Sequence, residues 1–536
     1  VTDKRDFVNL PRRVELYDST LRDGAQAEGI SFSLEDKLMI AEKLDDLGIT
    51  YIEGGWPNET NPKDKAFFKH ARDLRLKTSR IVAFGSTKRS SASGKADTTL
   101  LDLIEADTEI VTIFGKSWDF HVREVLRISL DENVRLIEDS VKFLVSEGRE
   151  VFFDAEQFFD GYKANPLYAM KTVLAAQDAG ARLIVLCDTN GGSIPEEIGM
   201  ICDRAAERLT VPLGIHTHND SGLSSSNTLA AVIHGVTHVQ GTINGIGERC
   251  GNDNLCTIIP NITLKLGVET LPKANMQMLM EISRFFSEIA NEAHNHRQPY
   301  VGESAFAHKG GSHIDGVLKN TKSFEHINPE LVGNQRRFLL SEQAGGSMVI
   351  AKLKKIYPDL DKKSPRVRAV LAELKKKEHE GYQYEAAQGS FELLAARIIE
   401  DYKPPFTLGG FRVVTDRRKD GSMVSEATIK LVVDGTEEHT ASEGDGPVDA
   451  LNGALRKALE RFYPAIAEVR LEDYKVRVLD TSAGTEAKVR VLIESGDGVE
   501  VWGTVGVSEN VIEASYIALA ESLSYKLVLN KRKTEK

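Results

Sequence analysis

Eight short apolar runs punctuate the first half of the chain, at residues 14–17, 49–53, 81–84, 110–114, 151–153, 183–187, 213–216 and 239–243. Each suits a buried strand. Between them apolar residues recur at helical spacing, as in 37–47 (Leu38, Ile40, Ala41, Leu44, Leu47) and 134–145 (Leu136, Ile137, Val141, Leu144, Val145). Gly48, Gly148 and Gly180 follow such segments, where a helix wants a C-terminal cap. Alternation of this kind means parallel strands joined by right-handed crossovers. Eight such units before residue 266 match the count and size of a (β/α)8 TIM barrel. The rival, an open doubly wound sheet, would favour a glycine-rich phosphate turn after the first strand, and residues 21–26 are not one.

A barrel of this type carries its active site at the carboxyl ends of the strands, so the residues that follow each run are the informative ones. The first run leads into Asp18, Arg22 and Asp23, with Gly24 to permit a tight turn. The second ends at Glu53 and Trp56, the fifth at Asp154 and Glu156, the sixth at Asp188 and Thr189, and the seventh at His216 and His218. After the eighth come Asn244, Glu248, Arg249 and Asn252. Titratable residues at the same end of at least five strands are not random decoration. Two histidines two apart on a strand share a face and form a ready bidentate metal site. Asp23 is the natural third ligand, because strand eight alone separates strands one and seven. Asn252 could add an oxygen or hold a ligating water. Such a set suits Zn²⁺, Mn²⁺, Co²⁺ or Mg²⁺, and non-haem Fe(II) as well. Arg22 beside a metal suggests capture of a carboxylate or carbonyl oxygen. That pairing polarises a 2-keto acid and stabilises the alkoxide formed when its carbonyl is attacked. Glu156 and Thr189 are expected to line the same cavity.

Beyond the barrel, 272–295 reads as a helix with an apolar face, and 344–374 as helical. Residues 298–316 are irregular and glycine-rich, with His308, His313 and Asp315, and read as an active-site flap or as a linker. From residue 404, alternating strands (411–415, 425–433, 436–441) lead into a helix at 448–462. The pattern then returns at 474–479, 487–494, 499–507 and 511–529, an offset of about 64 residues. This βββα duplication suits dimerisation and ligand binding between its halves. Its loops 442–447 and 503–508 enter the helices and favour a small anion at a helix N-terminus. The expected domains are a catalytic barrel over 1–270, helical linker and flap subdomains over 271–403, and a regulatory, dimerising domain over 404–536. With 68 basic against 80 acidic residues, a net charge of −12, no basic excess exists to meet nucleic acid or a membrane surface. Four cysteines without a CxxC pair, no apolar run of membrane-spanning length and an N-terminus without a signal-peptide core point to a cytoplasmic protein.

The motifs D-S-T-L-R-D-G-A-Q (18–26), H-T-H-N-D (216–220) and N-G-I-G-E-R-C-G-N (244–252), with the terminal duplication, resemble the acetyl-CoA-dependent 2-keto acid condensing enzymes, that is 2-isopropylmalate, homocitrate and citramalate synthases. F-G-K-S-W-D-F-H-V (114–122), F-D-A-E-Q-F-F-D-G-Y-K-A-N-P (153–166), C-D-T-N-G-G (187–192) and A-F-A-H-K-G-G (305–311) look most similar to the bacterial citramalate synthase group. The resemblance implies a Claisen condensation of acetyl-CoA with pyruvate. Thioester hydrolysis then releases (R)-citramalate and CoA, on a route to isoleucine. It implies a divalent metal (Mn, Mg, Zn or Co) on Asp23, His216 and His218, with Asn252 a lesser contact. It puts Arg22 on the keto oxygen, Thr189 on the keto acid carboxylate and Glu156 in acid–base chemistry. His313 would be the flap histidine that reaches the active site of the partner subunit in a homodimer. The terminal domain would sense an amino acid, isoleucine first among the candidates. Two positions depart from the family pattern: Phe324-Glu325 stands where Tyr-Glu is common, and Gly346 where many relatives carry Arg. Trp56, Phe114 and Trp118 favour a small keto acid. The competing readings are a 2-isopropylmalate synthase acting on 2-oxoisovalerate, a related barrel lyase cleaving a hydroxy-acyl-CoA or a carboxyltransferase domain, neither of which would need the terminal duplication, and a non-catalytic amino-acid sensor on a dead barrel. Intact Arg22, Asp23, His216 and His218 argue against the sensor.

Overall fold

The computed structural model describes residues 10–89, 97–339, 346–354, 356–361, 364–479 and 487–534. The eight apolar runs close into a parallel barrel: β1 (Glu15–Asp18), β2 (Tyr51–Gly55), β3 (Arg80–Ser86), β4 (Ile110–Lys116), β5 (Glu150–Glu156), β6 (Leu183–Asp188), β7 (Leu213–Thr217) and β8 (His238–Gly241). Each strand pairs with the next, and β8 closes on β1 with Glu15 opposite His238 and Asp18 opposite Gly241. Helices cover the outside, so the strands are buried on both faces and read as continuous apolar runs. The first of these helices, Leu34–Leu47, starts at a reciprocal capping box between Ser33 and Asp36 and stops at Gly48, whose φ of 93° satisfies the last carbonyls.

The barrel interior is a packed layer. His238 sits among the rings of Tyr17, Tyr51 and Phe152 at centroid distances of 5.4, 5.6 and 5.5 Å. It is 1% exposed, and neither ring nitrogen has a hydrogen-bond partner. Burial, with a smaller contribution from Arg182, lowers its pKa to about 3. The unfolded chain therefore takes up a proton near pH 6.5 that the folded chain refuses, and folding stability is lost as pH falls from about 6.5 towards 3, by up to about 1.4 kcal/mol per pH unit. His238→Phe is expected to flatten the fall in melting temperature between pH 6.5 and 4 relative to wild type.

At the end of β2 the chain turns through Gly54 and Gly55 to present Trp56. Gly55 has φ +143°, and a Cβ there would stand 2.3 Å from Asp64 Oδ2. Asp64 is buried because it ties this turn: it accepts from Trp56 N at 2.8 Å and Asn61 Nδ2 at 2.7 Å, and it pairs with Lys37, which also donates to Gly54 O at 3.1 Å.

The chain divides into two compact units, 1–306 with 327–336, and 307–326 with 337–536. In the second unit, the helices Gly311–Lys319, Gly346–Leu353, Pro365–His379 and Gln388–Ile399 precede two antiparallel three-stranded sheets. Strands Phe406–Arg417, Met423–Val433 and Thr436–Gly444 lead into helix Pro447–Glu460; Arg470–Val478, Val489–Gly496 and Val501–Ser508 lead into helix Val511–Thr534. The duplication holds in the packing, since Ala450 and Ala514, Ala454 and Ala518, Leu455 and Leu519, and Leu459 and Leu523 are all buried in one shared core. Among the described residues no helix is long and apolar enough to cross a membrane.

Four expectations change. The 272–295 segment is a 3-10 turn, Asn275–Met278, running into a shorter helix, Leu279–Ile289. The 344–374 segment is two helices. Pro358 interrupts it and Pro365 takes the first position of the second helix, where a missing N–H costs nothing; Ala344 lies outside the described residues. The irregular 298–316 stretch becomes helical from Gly311, with Ile314 and Val317 buried one turn apart. The duplicated helix N-termini are not prepared for an anion. Asp449 and Glu513 occupy their first turns, Asp449 accepting from Asp445 N at 3.1 Å and Glu513 from Ser508 Oγ at 2.5 Å.

Candidate active site

A cavity of about 190 Å³ opens at the carboxyl ends of the strands, and Arg22, Asp23, Glu156, Thr189, His216 and His218 all line it. Its floor is a cluster of three buried ligand-type side chains. His216 and His218 extend from β7, with their Nε2 atoms 3.3 Å apart, and Asp23 Oδ2 lies 3.7 Å from His216 Nε2. One donor atom from each of the three falls within 4.8 Å of the others. His216 Nδ1 faces Gln240 Oε1 at 2.8 Å, which assigns the ring hydrogen to Nδ1 and leaves Nε2 as a lone pair. Burial, with His216 close by, lowers His218 to about 4, so it is neutral at pH 7. Burial works against ionised Asp23, but the Arg22 guanidinium and the two imidazoles outweigh it and hold the carboxyl far below its ordinary range. Two imidazole nitrogens and a carboxylate oxygen converge here in one buried cluster, so the donor set fits a divalent metal.

Asn252 reaches this cluster through a glycine-dependent loop. Gly251, at φ +87°, would place a Cβ 2.0 Å from Gly245 O, so no other residue allows the chain to close here. Asn252 then bridges to His218, donates to Asp23 Oδ1 at 3.1 Å and to Ile246 O at 3.3 Å, and leaves its buried Oδ1 without a partner.

Arg22 is fixed on three sides. Its Nε pairs with Glu53, its Nη1 donates to Asp23 Oδ2 at 3.1 Å, and its guanidinium carbon sits 3.8 Å above the centre of the Phe84 ring. Glu53 is fully buried and also accepts from Tyr17 Oη at 2.5 Å. Phe84, Phe114 and Trp56 form a three-ring wall, with Phe84 stacked on Phe114 at 5.5 Å and Trp56 edge-on to both at 5.9 and 5.6 Å. Glu156 faces Lys116 Nζ at 2.6 Å. Thr189 Oγ1 accepts from Gln157 N at 2.9 Å, which leaves its hydroxyl hydrogen for another acceptor.

The profile of the HMGL-like family matches residues 13–286, that of the homocitrate synthase post-HMGL domain 300–381, and that of the LeuA allosteric (dimerisation) domain 385–527. An (R)-citramalate synthase of Aquifex aeolicus (strain VF5) is 54% identical to this chain, over 97% of it and 98% of its own length. A second, from Geobacter sulfurreducens, is 54% identical over 96% of this chain and 97% of its own. The chain belongs to the (R)-citramalate synthase family. A 2-isopropylmalate synthase of Methanocaldococcus jannaschii is 29% identical over 96% of this chain and 95% of its own length, a more distant relative.

Within this citramalate synthase barrel, six of the expected site residues meet in one cavity and Asn252 stands against Asp23. His313 lies in the second unit, exposed on helix Gly311–Lys319 and stacked on Phe324 at 4.2 Å. Phe324 therefore supports that histidine by ring stacking, and Glu325 turns to His308, 3.1 Å away. Trp118 does not join the aromatic wall; it stacks on His121 at 5.3 Å. Asp18 is a brace. It is buried, accepts from Thr20 N and Oγ1 at 2.9 Å each, and is pushed up to about 7 by burial that the Thr20 bonds only partly offset. Thr20 Oγ1 in turn accepts from Ile243 N, tying the β1 end to the β8 end. Sequence reasoning placed Glu53 at the end of the second strand without giving it a role, and missed Phe84 and Gln240 as parts of the site. The signal available for Glu53 was a lone carboxylate at the end of an apolar run.

Proposed function

We propose that the chain is a citramalate synthase that joins the methyl carbon of acetyl-CoA to the keto carbon of pyruvate and hydrolyses the thioester, releasing (R)-citramalate and CoA. The carrying observation is the Asp23, His216, His218 cluster beside an immobilised Arg22 in a small aromatic-walled cavity. In this reading Arg22 donates to the keto oxygen. Its Nε and one Nη are occupied by Glu53 and Asp23, and the second Nη remains for the substrate. Thr189 offers its hydroxyl hydrogen to the keto acid carboxylate. A carboxylate such as Glu156 takes a methyl proton from the acetyl group, or the partner subunit's flap histidine at position 313 does so. The carbanion carbon attacks the keto carbon, the resulting alkoxide is protonated, and water then cleaves the thioester to free the thiol. A divalent ion (Mn, Mg, Zn or Co) held by Asp23, His216 and His218, with Asn252 beside them, supplies Lewis-acid polarisation of the carbonyl when bound.

Phe84, Phe114 and Trp56 close the space beside Arg22, which favours the methyl of pyruvate over the branched chain of 2-oxoisovalerate. The terminal duplicated domain serves as the amino-acid-responsive and dimerising part, with isoleucine as the effector that fits the end of the route. We place the protein in the cytoplasm, a reading supported by four free cysteines. Thiol release from acetyl-CoA, with divalent metal present, should be rapid with pyruvate and at least about tenfold lower in kcat/KM with 2-oxoisovalerate, the size of discrimination that extra methyl groups in an apolar pocket produce. Turnover with the branched acid alone would overturn the substrate assignment. Isoleucine binding without turnover of either acid would make the chain a sensor.

A further inference from the structure

Gln240 is 1% exposed and stands on β8 directly beside His216 of β7. It spans two buried groups. Its Oε1 is 2.8 Å from His216 Nδ1, and its Nε2 donates to Asp154 Oδ1, across the barrel on β5, at 3.3 Å. An amide has one accepting end and one donating end. Burial, with Glu53 close by, pushes the Asp154 carboxyl well above its ordinary range, and its Oδ1 takes the donating end as an acceptor, so the accepting end is turned to His216. The ring nitrogen facing it must then carry the hydrogen, and His216 Nε2 is left bare towards Asp23 and His218, 3.7 and 3.3 Å away. With the amide reversed, its N–H would face Nδ1, the ring hydrogen would move to Nε2, and His216 would be lost as a ligand.

We propose that Gln240 and Asp154 form a positioning pair that fixes the tautomer of His216 for metal binding; this rests on the metal reading above. The pair divides between two strands what a single carboxylate does when it hydrogen-bonds the outer nitrogen of a ligating histidine. Loss of such an outer partner lowers metal affinity about 10–100-fold.

The test titrates the metal-stripped full-length chain with Mn²⁺ and reads free Mn²⁺ by electron paramagnetic resonance, without substrate, alongside thermal melting of each variant. Gln240→Leu should weaken Mn²⁺ binding about 10–100-fold. Asp154→Asn should weaken it less, because an asparagine can present either end of its amide. The double exchange Gln240→Glu with Asp154→Asn keeps both hydrogen bonds. A glutamate accepts from Nδ1–H, an asparagine donates to that glutamate, and wild-type affinity should return. Wild-type affinity in Gln240→Leu, or a double variant no tighter than Gln240→Leu, overturns the pair's role. His216→Ala separates the two readings. Lost Mn²⁺ binding there with unchanged binding in Gln240→Leu sinks the pair alone, and unchanged binding in both sinks the metal reading.

Discussion

Replacing Arg22 by methionine is expected to lower kcat with pyruvate about 10²–10³-fold, the loss typical of removing one preorganised donor from a developing oxyanion. Lysine should rescue little. The guanidinium is held as a plane, with Nε on Glu53, Nη1 on Asp23 and its flat face on Phe84, and a point ammonium on a flexible stem cannot satisfy all three. The same substitution should also destabilise the barrel. Glu53 is fully buried, and with Arg22 gone it keeps only neutral donors such as Tyr17, a situation that costs about 3–5 kcal/mol. This double consequence makes the experiment discriminating. Arg22→Met combined with Glu53→Gln removes the stranded charge, so its melting temperature should recover towards wild type while thiol release from acetyl-CoA stays low. If activity recovers together with stability, Arg22 is a structural ion-pair partner and does not touch the keto acid.

The arrangement around Arg22 also shows which parts of the site could be read in the sequence. All eight barrel strands fall on their apolar runs because a parallel strand covered on both faces has no polar alternation to obscure it. His216 and His218 were visible because two imidazoles two apart on a strand are a local pattern, complete within three residues. Asp23 followed from knowing that β8 alone lies between β1 and β7. Glu53, Phe84 and Gln240 have no such local signature. Glu53 acts on a residue 31 positions away, and Gln240 on one 24 and another 86 positions away. Each looks, in its own run, like a tolerated irregularity. Their roles exist only once the barrel closes and turns their side chains into a common interior. The linker was misread for the opposite reason. Local helical spacing from 344 to 374 was genuine, but the first helix stops at Leu353, short of Pro358, and Pro365 sets where the second begins, so proline chemistry outranks periodicity.

The largest effect is expected at Asp23. Chelation should abolish turnover of the wild-type chain, and returning Mn²⁺, Mg²⁺, Zn²⁺ or Co²⁺ should restore it, the ion that restores most identifying the preferred metal. Asp23→Asn should be inactive by more than about 100-fold and should not be rescued by the same additions, since it loses a first ligand where even an outer partner is worth 10–100-fold in metal affinity. The substitution is nearly isosteric, so geometry is not the reason. Asp23 brings a charge that burial resists and that Arg22, His216 and His218 hold in place. With an amide there, the cluster is two imidazoles and a neutral oxygen, and a divalent cation loses the one carboxylate of the set. Asp23→Glu keeps the charge on a longer stem. It should bind metal measurably yet turn over slowly, because the carboxylate also accepts from Arg22 Nη1 at 3.1 Å and Asn252 Nδ2 at 3.1 Å, and lengthening it displaces both. Asp23→Asn with wild-type metal affinity by isothermal titration calorimetry would exclude Asp23 as a ligand and move the cation elsewhere in the cavity.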